Sequence, residues 1–81
     1  MQDENGGGRV GLSINGPPMK RVLEKHGWHV ERETGHWQMT HPDIPGRVIS
    51  VSRHRDDIKK KALLEILRSA GLTEDEVRRA M

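Results

Sequence analysis

The sequence contains no cysteine, which excludes disulfide bonds and thiolate metal ligands. A chain of 81 residues forms one small domain, and a domain of this size buries only about 60% of the surface that its unfolded chain exposes. Its stability must therefore come from packing alone, as is usual for small proteins of reducing compartments. We expect a single domain that works in the cytoplasm.

Aromatic side chains and long apolar runs are scarce as well. Phe and Tyr are absent, so Trp28 and Trp37 must supply most of the aromatic core. No apolar run approaches the roughly 20 residues that cross a bilayer. The first residues contain no apolar stretch typical of a signal peptide. The sequence therefore predicts neither membrane insertion nor export.

Neither sign of charge dominates the chain, but the basic residues are unevenly placed. The formal net charge is +2, from 14 Lys and Arg against 12 Asp and Glu. One basic cluster contains Arg53, Arg55, Lys59, Lys60, Lys61 and Arg68. Such a cluster would attract a phosphate backbone, although a solvated helix face has the same composition. Charge alone leaves both interpretations open.

The N-terminal segment differs in composition from the rest of the chain. Residues 1–18 are polar and rich in glycine, and they end in Gly16-Pro17-Pro18. Such a stretch buries too little apolar surface to offset the entropy lost on ordering. The composition predicts a disordered tail over residues 1–18 and a folded domain over residues 19–81.

Hydrophobic periodicity predicts a helix, three strands, a second helix and a short last helix. Apolar residues follow helical spacing over residues 19–26, and Gly27 ends that helix. Alternating polarity and β-branched residues indicate strands at residues 28–34, 36–41 and 47–52. An apolar stripe over residues 58–70 indicates the second helix, and a capping box at residues 73–76 begins the third. Short turns make the strands antiparallel, so we expect an α+β domain whose sheet has one open face.

Five histidines occur in the chain, and they allow metal-binding, structural and catalytic interpretations. Their spacing crosses a helix end and two strands and includes no His-Glu-x-x-His pattern, so no metal site is predicted. His26 falls on the apolar face of the first helix, which favours a packed core position. His41 precedes Pro42 at a strand end, where its ring can hydrogen-bond the turn.

His36 is the candidate for catalysis. It follows Gly35 at the start of a strand, on the side opposite Trp37 and Met39. A histidine there is held by the sheet and yet exposed, and the glycine lets a substrate backbone approach.

Several short motifs follow one another in a specific order between residues 23 and 72. They are Leu23-Glu24-Lys25-His26-Gly27-Trp28, Gly35-His36, His41-Pro42-Asp43, Pro45-Gly46-Arg47-Val48, His54 and Ala70-Gly71-Leu72. In order and spacing they resemble the HicA (YcfA-like) toxins of bacterial toxin–antitoxin pairs. The resemblance covers about fifty residues.

The resemblance implies a fold like a double-stranded-RNA-binding domain, with a helix, a three-stranded antiparallel sheet and a helix. It implies cleavage of mRNA through one histidine in a Gly-Ser-His or Gly-Gly-His turn, which makes His36 the catalytic residue and Gly35 its small neighbour. It also implies a HicB-type antitoxin that covers the active site. No cofactor and no metal are implied.

The remaining roles follow as hypotheses from this assignment. RNA carries its own nucleophile, the 2′-hydroxyl, so His36 would act as general base or acid. His54 is a weaker candidate for the second proton transfer. The side chains expected to hold phosphate are those of Arg47, Lys59 and Lys60.

Some residues depart from the family pattern. Thr34 stands where the family usually has glycine, and Lys61-Ala62 replaces its Gly-Thr pair. These departures would also suit a catalytically degenerate member that binds RNA without cutting it. A third interpretation is a protein-binding role, in which the sheet face or Leu64 docks a partner.

Overall fold

The computed structural model describes residues 11–81, and residues 1–10 lie outside the described part of the chain. Its elements are α1 (Gly16–Lys25), β1 (His29–Glu33), β2 (His36–Thr40), β3 (Ile49–Ser52), α2 (Lys60–Ala70) and α3 (Glu74–Ala80). The strands form one antiparallel sheet in the order β1-β2-β3. The predicted α+β fold of helix, three-stranded sheet and two further helices is confirmed. No helix in this part of the chain is long and apolar enough to cross a membrane.

The register between β2 and β3 sorts the side chains into two faces. His36 lies opposite Ser52, Trp37 opposite Val51, Gln38 opposite Ser50 and Met39 opposite Ile49. Residues that lie directly opposite each other share a face of the sheet. Met39, Ile49 and Val51 are buried, so their face packs on the core and the face with His36 remains open.

The core is built almost entirely from aliphatic side chains. The helices contribute Met19, Val22 and Leu23 from α1, Leu63, Ile66 and Leu67 from α2, and Val77 from α3. Trp28, which follows α1, is buried with them. No polar or charged side chain is buried among residues 11–81. The groups available for chemistry therefore all lie at the surface.

The structure corrects the predicted N-terminal boundary. Leu12 and Ile14 are only 5% and 2% exposed, and the Ile58 N–H donates to the Ile14 carbonyl at 2.9 Å. The predicted tail is therefore wrong for residues 11–18, although residues 1–10 of that tail lie outside the described residues. Two isolated apolar residues gain their burial from contacts more than forty positions away, which local composition cannot show.

The capping box predicted at the last helix is confirmed. The Glu76 N–H donates to the Thr73 hydroxyl at 3.1 Å, and the Thr73 N–H donates to the Glu76 carboxylate at 2.8 Å. The backbone bond from Thr73, together with its side-chain bond, holds the pKa of Glu76 below its ordinary value of 4.5. The ionised form of Glu76 therefore stabilises the folded state.

The hydrogen bonds between Thr73 and Glu76 make the stability of the folded state depend on pH. Because the folded pKa of Glu76 is lowered, its contribution is present above the unfolded value and is lost as pH falls through the folded one. Glu76→Gln is therefore expected to lower the urea midpoint at neutral pH. As the pH drops below 4.5, the urea midpoint of this variant should decrease less steeply than that of the unchanged chain. Glu31→Gln, which removes an exposed carboxylate outside the box, is the control. Equal pH profiles for the two variants would contradict the expectation.

Candidate active site

His36 is the first residue of β2 and its side chain is exposed. The preceding turn closes with the Thr34 N–H donating to the His36 carbonyl at 3.2 Å. Gly35 has a left-handed φ of 86°, so the residue that needs glycine is Gly35 and not Thr34. A Cβ at Gly35 would meet no atom within 4 Å. The space beside His36 is therefore open to a substrate.

His36 and His54 line the same pocket, of about 330 Å³, which we call the histidine pocket. Its other lining residues are Ser52, Asp56, Asp57, Ile58, Lys59 and Ala62. The pocket thus brings two imidazoles, one ammonium and two carboxylates together at the surface. Three of the site residues expected from the sequence, His36, His54 and Lys59, meet here.

Two hydrogen bonds hold in place the loop that follows β3 (residues 53–57), which we call the His54 loop. The His54 N–H donates to the Ser52 hydroxyl at 3.1 Å, and the Gly16 N–H donates to the His54 carbonyl at 3.3 Å. Ser52 was not singled out by sequence reasoning, although it lies opposite His36 and orients the loop. Pairing β2 with β3 residue by residue would have found it.

Lys59 lies at the N-cap of α2, which begins without a side-chain cap. Its ammonium makes no hydrogen bond or ion pair within residues 11–81. The N-terminus of a helix carries unpaired N–H groups and a partial positive charge, both of which favour an anion. Lys59 and the first turn of α2 can therefore attract a phosphate group to the histidine pocket.

The structure does not bring Lys60 or Arg47 into the histidine pocket. The Lys60 ammonium donates to the Leu12 carbonyl at 2.6 Å and to the Ser13 hydroxyl at 3.2 Å. Arg47 donates to the Ser69 carbonyl at 3.1 Å, near the C-terminal end of α2. Lys60 thus fastens the N-terminal segment, and Arg47 satisfies a helix-end carbonyl.

A second pocket, of about 420 Å³, continues from the first along β3 and α2. It shares His36, Ser52, Ile58 and Ala62 with the histidine pocket and is also lined by Val48, Ile49, Ser50, Glu65, Ile66 and Ser69. We call it the strand–helix pocket. The two pockets form one groove with His36 at their junction.

Two arginines form a further cationic surface beside the start of α1. Arg21 and Arg55 line a pocket of about 320 Å³ together with Asn15, Pro17 and Pro18. Arg55 follows His54 directly, so this surface continues past the His54 loop. Sequence reasoning included Arg55 in the basic cluster but missed Arg21, because only folding brings the two residues together.

Two other histidines have structural surroundings. His41 accepts from the Asp43 N–H at Nδ1, so Nε2 carries the proton and donates to the His26 carbonyl at 3.0 Å. Its ring also meets Trp28 edge-on at 5.3 Å, which confirms the structural interpretation of His41. The predicted core position of His26 is wrong, because it is exposed at the C-cap of α1 with Nδ1 3.1 Å from the Val22 carbonyl. Within residues 11–81 no three His, Asp or Glu residues are grouped to hold a metal ion.

Comparison with known proteins bears on the same residues. A family model described as the HicA toxin of bacterial toxin-antitoxin matches residues 18–72. This span contains the whole sheet, α2 and every residue of the histidine pocket. A search of curated proteins found no match.

Proposed function

Since the chain belongs to the HicA toxin family of bacterial toxin–antitoxin systems, we propose that it cleaves mRNA without a metal, with His36 as general acid or base. The observation that supports this proposal best is the histidine pocket. Its lining includes the exposed ring of His36, the ring of His54 and the unpaired ammonium of Lys59. These are the group types that cleavage of RNA through its own 2′-hydroxyl requires.

The chemistry needs two proton transfers and one phosphate contact. One imidazole removes the proton from the 2′-hydroxyl, whose oxygen attacks the adjacent phosphorus. The other imidazole donates a proton to the 5′-oxygen that leaves. A histidine ring can accept or donate a proton near neutral pH, so it suits either role. We assign the first imidazole to His36 and the second to His54.

We assign the phosphate contact to Lys59 and not to Lys60 or Arg47, whose side chains are engaged elsewhere. Charge develops on the nonbridging oxygens of the phosphate during attack, and a fixed cation nearby stabilises it. The Arg21 and Arg55 surface, which adjoins the His54 loop through Arg55, supplies a further contact for the RNA backbone.

The partner in this proposal is an antitoxin of the HicB type, acting in the cytoplasm where mRNA is present. The family description supports an antitoxin partner. The side chain of His36 is exposed where the two pockets meet, so a protein that covers it would exclude RNA directly. Inhibition then requires no rearrangement of the toxin.

The proposal is tested by offering the purified chain RNA and DNA of the same sequence, each with EDTA present. We expect RNA to be cut and DNA to stay intact, because DNA lacks the 2′-hydroxyl. Cleavage is followed on a denaturing gel, and binding of the same RNA is measured in parallel. Loss of cleavage in EDTA and its return with zinc would contradict the metal-free scheme. Binding without cleavage would instead identify a degenerate RNA-binding module.

A further inference from the structure

The strand–helix pocket contains a carboxylate that the proposed reaction does not use. Glu65 lines this pocket from α2, and its side chain makes no hydrogen bond or ion pair within the described part of the chain. Around it are the hydroxyl-bearing residues Ser50 and Ser69 and the apolar side chain of Val48, which is 55% exposed. The pocket thus combines one unpaired acceptor group with an uncovered apolar wall.

Carboxylates lie at both ends of the groove, but Asp56 and Asp57 share the histidine pocket with Lys59, whereas no lysine or arginine lines the strand–helix pocket with Glu65. Because an unbalanced carboxylate repels a phosphate group, the RNA backbone would follow Lys59 and avoid the end that contains Glu65. The strand–helix pocket is therefore suited to an uncharged part of the RNA. Its volume of about 420 Å³ falls in the range of small-molecule sites, roughly 300–1,000 Å³. A nucleobase fits that description.

The hydrogen-bonding edges of the bases differ in what they offer to a carboxylate. Guanine presents two adjacent donors, N1–H and the N2 amino group, which match the two oxygens of a carboxylate. Adenine and cytosine present one amino donor beside a ring-nitrogen acceptor, and uracil presents one N–H between two carbonyls. A carboxylate therefore makes two hydrogen bonds with guanine and only one with any other base.

We propose that Glu65 is a specificity residue that selects a guanine next to the cleaved bond, an inference that rests on the proposed RNA cleavage. His36 is shared by both pockets. A nucleotide whose phosphate contacts Lys59 can therefore place a neighbouring base against Glu65 with the ribose at His36. Val48 and Ile66 flank the base with apolar surface. The substrate is single-stranded RNA, because only an unpaired base exposes this edge.

The test separates base selection from catalysis by measuring binding first. The His36→Ala chain, which should bind RNA without cutting it, is titrated with short oligouridine RNAs that carry one central guanine, adenine or cytosine. The guanine RNA is expected to bind roughly 5- to 150-fold tighter than the others, the discrimination of one good bidentate contact. Glu65→Gln in the same chain should abolish that preference. All the RNAs should then bind with about equal affinity, because an amide offers one donor and one acceptor and can make two hydrogen bonds with any base.

A matched control removes the same charge elsewhere. Glu24 lies on α1 and pairs with Lys20 at 3.3 Å, outside the strand–helix pocket. Glu24→Gln should change the affinity for every RNA by the same factor, and it should keep the preference for guanine. Equal affinity of the His36→Ala chain with Glu65 intact for all the RNAs would overturn the inference. A guanine preference that survives Glu65→Gln would overturn it as well.

A second measurement shows which proposal has failed if one does. The chain with His36 intact is given a mixed-sequence RNA, and its cut positions are mapped. Cuts that cluster beside guanine and spread to other bases in Glu65→Gln support the inference. If the intact chain cuts nothing while guanine-selective binding depends on Glu65, the base site stands and the nuclease proposal fails. Cleavage at positions that Glu65→Gln leaves unchanged overturns the base site and leaves the nuclease proposal intact.

Discussion

His36→Ala is expected to lower the rate of RNA cleavage by about 10²- to 10⁴-fold, the usual contribution of one positioned acid or base. The imidazole is exposed at the start of β2, so its removal creates no cavity and exposes no core side chain. The folded structure and the affinity for RNA should therefore change little. Single-turnover cleavage of labelled RNA measures the rate, and urea denaturation measures the stability.

His29→Ala is the matched control for this experiment. His29 is also an exposed histidine and is the first residue of β1, but it lines neither the histidine pocket nor the strand–helix pocket. It should cleave RNA like the unchanged chain. In cells, induced expression of the unchanged chain should arrest growth and deplete mRNA, whereas His36→Ala should do neither. Equal cleavage by the two alanine variants would remove His36 from the mechanism.

Gly16→Ala is expected to cost about 1–3 kcal/mol of unfolding free energy or more, the typical penalty for overpacking a filled interior. An added Cβ would lie 1.7 Å from the Ser52 carbonyl oxygen and 3.1 Å from that of His54. Both atoms belong to the backbone, so no side chain can rotate away to make room. The loss is a large part of the roughly 5–15 kcal/mol by which small domains are stable.

The steric origin of this effect is tested against Gly11→Ala. A Cβ at Gly11 would meet only Glu74 and Arg78 side-chain atoms, at 3.7 and 3.8 Å, which is ordinary contact distance. The urea midpoint of Gly11→Ala should therefore stay close to that of the unchanged chain. Because Gly16 contacts the strand end and the loop that carry Ser52 and His54, Gly16→Ala should also impair cleavage. A Gly16→Ala chain as stable as Gly11→Ala would show that the backbone can yield at this contact.

Local sequence patterns account for most of the fold. Alternation about Trp37 and Met39 predicts which face of β2 enters the core. Gly71 followed by Leu72 predicts the end of α2, where φ is 71° and the Leu72 N–H donates to the Leu67 carbonyl at 3.0 Å. These signals act over a few residues, so they can be recognised in a single sequence.

The errors arise from interactions that span the chain. Leu12 and Ile14 have polar neighbours in sequence, and only their packing in the core makes residues 11–18 part of the domain. Lys59 and Lys60 were expected to serve one phosphate. Neighbouring positions on a helix point about 100° apart, and here Lys59 lines the histidine pocket whereas Lys60 bonds Leu12. Composition and motif order do not show which way each of these two side chains points.

The candidate site was predictable to a different degree for each residue. His36 follows from its place after Gly35 and from the family resemblance, and His54 follows from the resemblance alone. Glu65 belongs to no motif, because its proposed role depends on a groove that forms only when α2 packs along β3. A residue of that kind becomes visible once the tertiary arrangement is known.

The N-terminal attachment has a consequence for synthesis on the ribosome. The His54 loop is held by Gly16, and the Ile14 carbonyl binds the N–H of Ile58, while Lys60 binds Leu12. A nascent chain cannot complete these bonds until residues 58–60 have left the exit tunnel, and such distant contacts also close slowly. The pocket is therefore expected to assemble only after residues 58–60 have emerged, and shorter nascent chains are expected to spare the message being translated.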